Sequence, residues 1–153
     1  MSTPSSTNPL SRDSEPAEAN GLLDTSVVIA AEYFAVYRRT GRLPEFPTIS
    51  AITLAELSCG VPAADSAQER ARRQDLLMRT KALFDALPFD ADSARAYSRV
   101  YAATLEAGRK PRGGRATDLL IAAVALANDL PLYTCNEADF AHLRDLIDVV
   151  AVA

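Results

Sequence analysis

Four acidic side chains in this sequence stand where a fold could gather them. They are Asp24 in GLLDTSVVIAA, Glu56 in ISAITLAELSCG, Asp118 in GRATDLLIAAVALA and Asp139 in YTCNEADF. Each lies just after an expected strand or in the first turns of an expected helix. Carboxylates brought together repel, so such a pocket persists only with raised pKa values or with a partner cation. An all-oxygen donor set suits a hard divalent ion. The chemistry this points to is cation-assisted cleavage of a phosphate ester.

Each acid also has a plain structural reading. Asp24 can cap the first helix. Thr53 and Glu56 have the spacing of a capping box, in which the glutamate bonds back to the cap. Asp118 suits the first turn of a helix, where the dipole favours negative charge. Asn136 and Asp139 resemble another helix start. One at a time, these readings are at least as good as a functional one. Together they leave unexplained why four helix starts beside the strand ends of one sheet all carry an acid.

The elements that must position these residues alternate between strand and helix. Residues 1–20 are rich in Ser, Pro, Ala and acid, with Leu10 their single large apolar side chain after Met1, and read as a disordered tail. An ordered domain is expected over 21–153. A strand over 21–23 leads to a helix through VVIAAEYFAVYRR, capped by Thr25 or Ser26 and ended by Gly41, with LPEFP as a loop. An extended piece over 48–50 precedes a helix with Leu54, Leu57 and Val61 on one face. A long helix over 66–84 carries Arg70, Arg72, Arg73, Arg79 and Lys81 outward, a charge run read as a solvated face. A strand over 87–89 follows. The next helix, capped by Asp92 or Ser93, has Ala94, Tyr97, Val100, Tyr101 and Leu105 at helical spacing. After the loop GRKPRGGRAT, Thr117 caps a nearly all-apolar helix that must be buried. A strand over 132–135, a short helix in NEADFAHLRD and a last strand over 147–152 complete the chain. Strands separated by helices imply a three-layer α/β/α sandwich on a short, mostly parallel sheet. In such sheets ligands bind beyond the carboxyl ends of the strands.

Composition narrows the function classes. A length of 153 residues, 48% apolar and 24% charged, fits a single globular domain rather than a disordered or fibrous chain. The net charge of −4 excludes a globally basic nucleic-acid binder, although a local basic patch is enough to hold phosphate. Cys59 and Cys135 show no CxxC or Cys/His spacing and His142 is the single histidine, so a zinc site of the usual type is not expected. A reduced, cytoplasmic setting fits, with Cys59 as a small buried apolar residue. The longest apolar run, 119–127, is shorter than the roughly 20 residues that cross a bilayer. Residues 1–20 do not read as a secretory signal, and no membrane association is expected.

The strings LLDTSVVIAA, ITLAELSCGV and TDLLIAAVALANDLPLYTCNEADF resemble a PIN domain, specifically the VapC-type toxin of bacterial toxin–antitoxin pairs. The resemblance runs from Leu22 to the C-terminus. Its first-strand aspartate with following Thr or Ser falls on Asp24, Thr25 and Ser26. Its helical glutamate falls on Glu56, and the aspartate opening an Ala-rich helix falls on Asp118. Its Thr-x-Asn-x-x-Asp-Phe string falls on Thr134, Asn136, Asp139 and Phe140. One departure is Cys135, where many relatives carry a basic residue, which puts a substrate contact in doubt.

The resemblance implies an Mg2+- or Mn2+-dependent endoribonuclease in which an activated water cleaves RNA, whether tRNA, rRNA or mRNA. Asp24, Glu56 and Asp118 would hold the ion directly or through water, with Asp139 completing the pocket, and the resemblance leaves open whether one ion acts or two. Thr25 and Ser26 would support Asp24, and Thr134 and Asn136 would support Asp139, although capping alone also explains Ser26 and Asn136. Lys110, Arg112 and Arg115 would grip RNA phosphates beside the pocket, or merely solvate a loop. Arg38, Arg39 and Arg42 are weaker candidates. Tyr33, Phe34 and Phe46 suit the core or a partner groove. The resemblance also implies a cognate VapB-type antitoxin, lying between helices over 27–37 and 52–60, and a homodimer. Competing readings are a structure-specific DNA nuclease of the flap-nuclease type and a catalytically silent PIN binding module.

Overall fold

The computed structural model describes residues 20–30 and 43–152. The expected disordered tail, the first helix beyond Ala30 with Tyr33 and Phe34, its end at Gly41, and Arg38, Arg39 and Arg42 lie outside the described residues.

Five strands form one sheet: β1 (Asn20–Leu23), β2 (Phe46–Ser50), β3 (Ala86–Leu87), β4 (Leu132–Thr134) and β5 (Val149–Ala151). The spatial order is β3-β2-β1-β4-β5, and every pairing is parallel. The sheet among the described residues is therefore wholly parallel rather than mostly so. β2 begins earlier than expected and takes Phe46 and Pro47 from the expected loop. Pro47 is tolerated because β3 pairs with β2 only at Ile49 and Ser50, so no ladder bond is asked of the missing N–H on that side.

The helices are α1 (Thr25–Ile29), α2 (Ala51–Gly60), α3 (Ala67–Leu83), α4 (Ala91–Glu106), α5 (Gly114–Ala127) and α6 (Glu137–Phe140), the last running into a 3₁₀ turn at Ala141–Leu143. Successive strand residues point to opposite faces, and the core divides accordingly. Leu22, Leu132 and Val149 pack with Val100 of α4 and with Leu119, Ile121 and Val124 of α5. Leu23, Ile49 and Tyr133 pack with Val27 and Val28 of α1, Leu57 of α2 and Leu77 of α3. Two helical layers thus sandwich the sheet, as expected.

Several boundaries moved for local reasons. Asp90, not Asp92 or Ser93, caps α4, accepting from Ser93 N at 2.9 Å. That helix buries Ser93, Ala96, Val100 and Thr104, a stripe rotated from the expected one, so Tyr101 and Leu105 face outward. α5 starts at Gly114, with Gly113 at φ +62 as its cap position. Two adjacent glycines hide that start from propensity reasoning, because glycine is a poor helix former. Thr117 therefore lies inside the helix, and Asp118 lies in its second turn. Cys59 is exposed rather than buried, and Phe46 is 58% exposed, so it does not serve the core.

Candidate metal centre

β1 is the point where the strand order reverses, since the chain moves from it to β2 on one side and later to β4 on the other. In parallel sheets the crevice at that point is the usual ligand site. Asp24 stands at the end of β1, and Thr134 ends β4 beside it. Asp24 N donates to Tyr133 O at 2.9 Å, which carries the ladder up to the acid itself. The Asp24 side chain caps α1 by accepting from Val27 N. Its Oδ1 also accepts from Ser26 Oγ and its Oδ2 from Thr134 Oγ1 at 2.7 Å. The capping reading of Asp24 is thus correct, with Asp24 rather than Thr25 or Ser26 as the cap, and the same carboxylate stands at the crevice.

Asp24 is 3% exposed. Burial raises its pKa, and the bonds from Ser26, Thr134 and Val27 pull it partly back. Two further bonds order the chain where it leaves the strand ends. Cys135 N donates to Ser26 Oγ at 3.0 Å, and Asn136 N donates to Thr134 Oγ1 at 2.9 Å. The supporting part of Asn136 is its backbone, for its side chain makes no cap bond.

Glu56 projects from α2. Its capping-box reading fails, because the cap of α2 is Ser50, which accepts from Ile52 N at 3.0 Å. Glu56 Oε1 instead accepts from Thr25 Oγ1 at 2.7 Å, and Thr25 Oγ1 lies 2.9 Å from Thr53 Oγ1.

Asp118 lies within electrostatic reach of the other three acids. Its carboxyl is pushed up to about 7, first by burial, then by the negative charges of Asp24, Asp139 and Glu56, with Arg115 opposing. Asp139, exposed on α6, contributes through its charge. The donor chemistry is all oxygen and its charge is left largely uncompensated, which fits a hard divalent cation. Among the described residues, no three such side chains converge closely enough to grip an ion unaided. Mg2+ ordinarily takes only one or two carboxylates and keeps several waters, so it does not require such convergence.

The PIN domain family model matches residues 21–146. Ribonuclease VapC5 of Mycobacterium tuberculosis is 40% identical over 131 residues, spanning 82% of this chain and 88% of that one. The chain belongs to the VapC family of PIN-domain ribonucleases. A crystal structure of VapBC-5 from Mycobacterium tuberculosis superposes with a TM-score of 0.73 at 37% identity, over 88% of this chain and 99% of that one. VapBC2 from Rickettsia felis, solved bound to a DNA fragment from its promoter, superposes with a TM-score of 0.67 at 25% identity, over 84% of this chain and 96% of that one.

Around this PIN site the basic residues divide. Arg115 lies in the first turn of α5, not in a loop, and its charge reaches Asp118. Its Nη1 also donates to Lys110 O at 3.2 Å. Lys110 and Arg112 stay in the preceding loop, both exposed. Cys135 is half-buried and packs against the core beneath α1 and α2. His142 stands apart from the acids, its Nε2 2.9 Å from Thr104 Oγ1. Burial and the charges of Arg109 and Arg115 lower its pKa.

A cavity of about 610 Å³ opens beside Glu56, the one of the four acids that lines it, with Thr25 and Ile29 of α1, Leu57 of α2 and Leu76 of α3 among its other lining residues. Its walls come from α1, α2 and α3. Arg72, Arg73 and Arg79 of α3 border the cavity while paired with Glu69 and Asp75 of the same helix. Sequence reasoning read Thr53 only as a cap, because its spacing to Glu56 imitates a capping box, and so missed its contact with Thr25.

Proposed function

We propose that this chain is the toxin of a toxin–antitoxin pair, an endoribonuclease that works with Mg2+ or Mn2+ at Asp24, Glu56, Asp118 and Asp139. The observation that carries this reading is Asp24, buried where the strand order reverses with both carboxylate oxygens held by Ser26 and Thr134, with three further acids on the elements around it. A bound divalent ion would lower the pKa of a water and offset charge on the phosphoryl oxygens. The protein's part is to hold the acids in place. Ser26 and Thr134 fix both oxygens of Asp24, and Thr25 fixes one oxygen of Glu56. Asp118 titrates near neutrality, so it yields its proton readily when positive charge arrives. Arg115, with Lys110 and Arg112, would bind RNA phosphates at the rim.

The solved relatives are VapBC complexes, which supports a VapB-type antitoxin as partner. Its seat would be the cavity walled by α1, α2 and α3, where Ile29 stands 60% exposed. Homodimerisation and a cytoplasmic setting belong to the same proposal; no helix among the described residues is long and apolar enough to cross a membrane. The functional unit would span 21–153.

Cleavage of tRNA and rRNA by antitoxin-free protein tests the activity, measured with Mg2+, with EDTA, and in Asp24→Asn and Asp118→Asn. EDTA and each substitution should abolish cleavage. Cutting that ignores all three would sink the mechanism.

A further inference from the structure

A threonine hydroxyl carries one proton. Thr25 spends its proton on Glu56 Oε1, 2.7 Å away, because an ionised carboxylate only accepts. The 2.9 Å contact between Thr25 Oγ1 and Thr53 Oγ1 then has a single polarity, with Thr53 donating and Thr25 accepting. A helical threonine commonly turns its hydroxyl back to the carbonyl four residues earlier. Thr80 and Thr104 do so here, donating to Leu76 O at 2.7 Å and Val100 O at 2.8 Å. Thr53 does not. Fully buried in α2, it directs its hydroxyl across to α1, and the bond returns through Thr25 to Glu56 on its own helix.

We propose that Thr53 is a positioning residue of the acidic site. It fixes the rotamer of Thr25, and Thr25 in turn holds Glu56 by Oε1. Glu56 Oε2, which takes no protein hydrogen bond among the described residues, is left for a cation. The inference rests on the reading of the acids as a divalent-ion site. It names a residue that neither charge nor spacing would have singled out.

The test is Mn2+ binding to the full chain by calorimetry, without RNA, alongside thermal unfolding. Wild type should bind Mn2+ and Asp24→Asn should not. Thr53→Val, nearly isosteric, should weaken Mn2+ about 10-fold, the range expected when a group supporting a ligand is lost. Thr53→Ser, which keeps the hydroxyl, should stay within about 2-fold. Thr25→Val should lose as much as Thr53→Val, and the double variant no more than Thr25→Val alone, because Thr53 acts through Thr25. Wild type that takes up no Mn2+ would sink the cation reading and this inference together. Wild-type binding with unchanged affinity in Thr53→Val, or additive losses in the double variant, would overturn the inference alone. Unchanged affinity in Thr25→Val would overturn it too, whether or not Thr53→Val folds.

Discussion

Thr134 donates to Asp24 Oδ2 at 2.7 Å, joining residues 110 positions apart at the ends of two adjacent parallel strands. The same hydroxyl oxygen accepts from Asn136 N. One side chain therefore holds the most deeply buried acid of the site and anchors the turn that leads to Asp139. Thr134→Val keeps the shape and removes both bonds. Hydrogen bonds to a charged group contribute about 2 kcal/mol, so urea unfolding should show a loss near that size. Thr134→Ser should recover most of it. The loss should also drive the Asp24 pKa further upward, since the Thr134 bond is one of the forces holding it down.

Asp118 makes stability depend on both pH and cation. Its folded pKa of about 7 lies above the ordinary 3.8. Between those values the native state holds more protons than the unfolded chain, so stability falls as pH rises through this window. Asp24, also raised, acts in the same direction. His142, lowered from 6.5, acts in the opposite sense as pH falls. Comparing wild type with Asp118→Asn isolates the carboxyl, because both keep His142. In EDTA, wild type should gain about 1–2 kcal/mol between pH 7.5 and pH 5, after allowing for solvent screening of a half-buried group. Asp118→Asn should gain less, and at pH 7.5 should be the more stable protein. Its cleavage should nevertheless fall at least about 100-fold. Saturating Mg2+ should stabilise wild type most at high pH, where the carboxylates are ionised. A wild-type Tm in EDTA that rises steadily from pH 5 to pH 7.5 relative to Asp118→Asn would contradict this account.

How much of this was legible in the sequence depends on how local each feature is. The acids, their order and their apolar neighbours are local, and they led to Asp24, Glu56, Asp118 and Asp139 before any geometry. Strand and helix alternation is local too, and the parallel sandwich followed from it. The contact between Thr53 and Thr25 is not local, because it depends on how α1 packs against α2. The capping-box spacing at Thr53 and Glu56 was a decoy, since Ser50 had already taken the cap. At Gly113 and Gly114 low helix propensity concealed the first turn of α5, and with it the placement of Arg115 inside the helix. Tyr101 and Leu105 matched a helical spacing, but the buried stripe of α4 runs through the smaller Ala96, Val100 and Thr104. Small residues there allow α4 and α5 to approach closely.

Gly21 tests the packing that sets the site. A Cβ there would lie 2.4 Å from Tyr133 Cε2 and 2.9 Å from Pro44 Cγ. Tyr133 is buried and cannot swing away, and its carbonyl receives Asp24 N. Gly21→Ala should therefore cost about 3 kcal/mol, at the upper end of ordinary overpacking. Displacement of β4 should also loosen the bond between Thr134 and Asp24. A variant as stable as wild type in denaturant melts would show that the sheet yields more easily than this packing allows.

Arg115 is the cation that opposes the rise in the Asp118 pKa, and it is placed to meet RNA phosphate as well. Arg115→Gln removes the charge and keeps a polar chain of similar reach. Without the guanidinium, less positive charge favours the ionised carboxyl, so the Asp118 pKa should rise further above 7. If ionised Asp118 is the active form, the acid limb of the pH–rate profile in Mg2+ should move to higher pH. KM for RNA should rise several-fold as well, and the dependence of binding on log salt should flatten by about one ion. Lys110→Ala and Arg112→Ala differ because neither charge figures among those acting on Asp118. They should flatten the salt dependence without moving the acid limb. A profile for Arg115→Gln that overlays wild type would assign Arg115 to phosphate contact alone, and an unchanged salt slope would remove it from the RNA path.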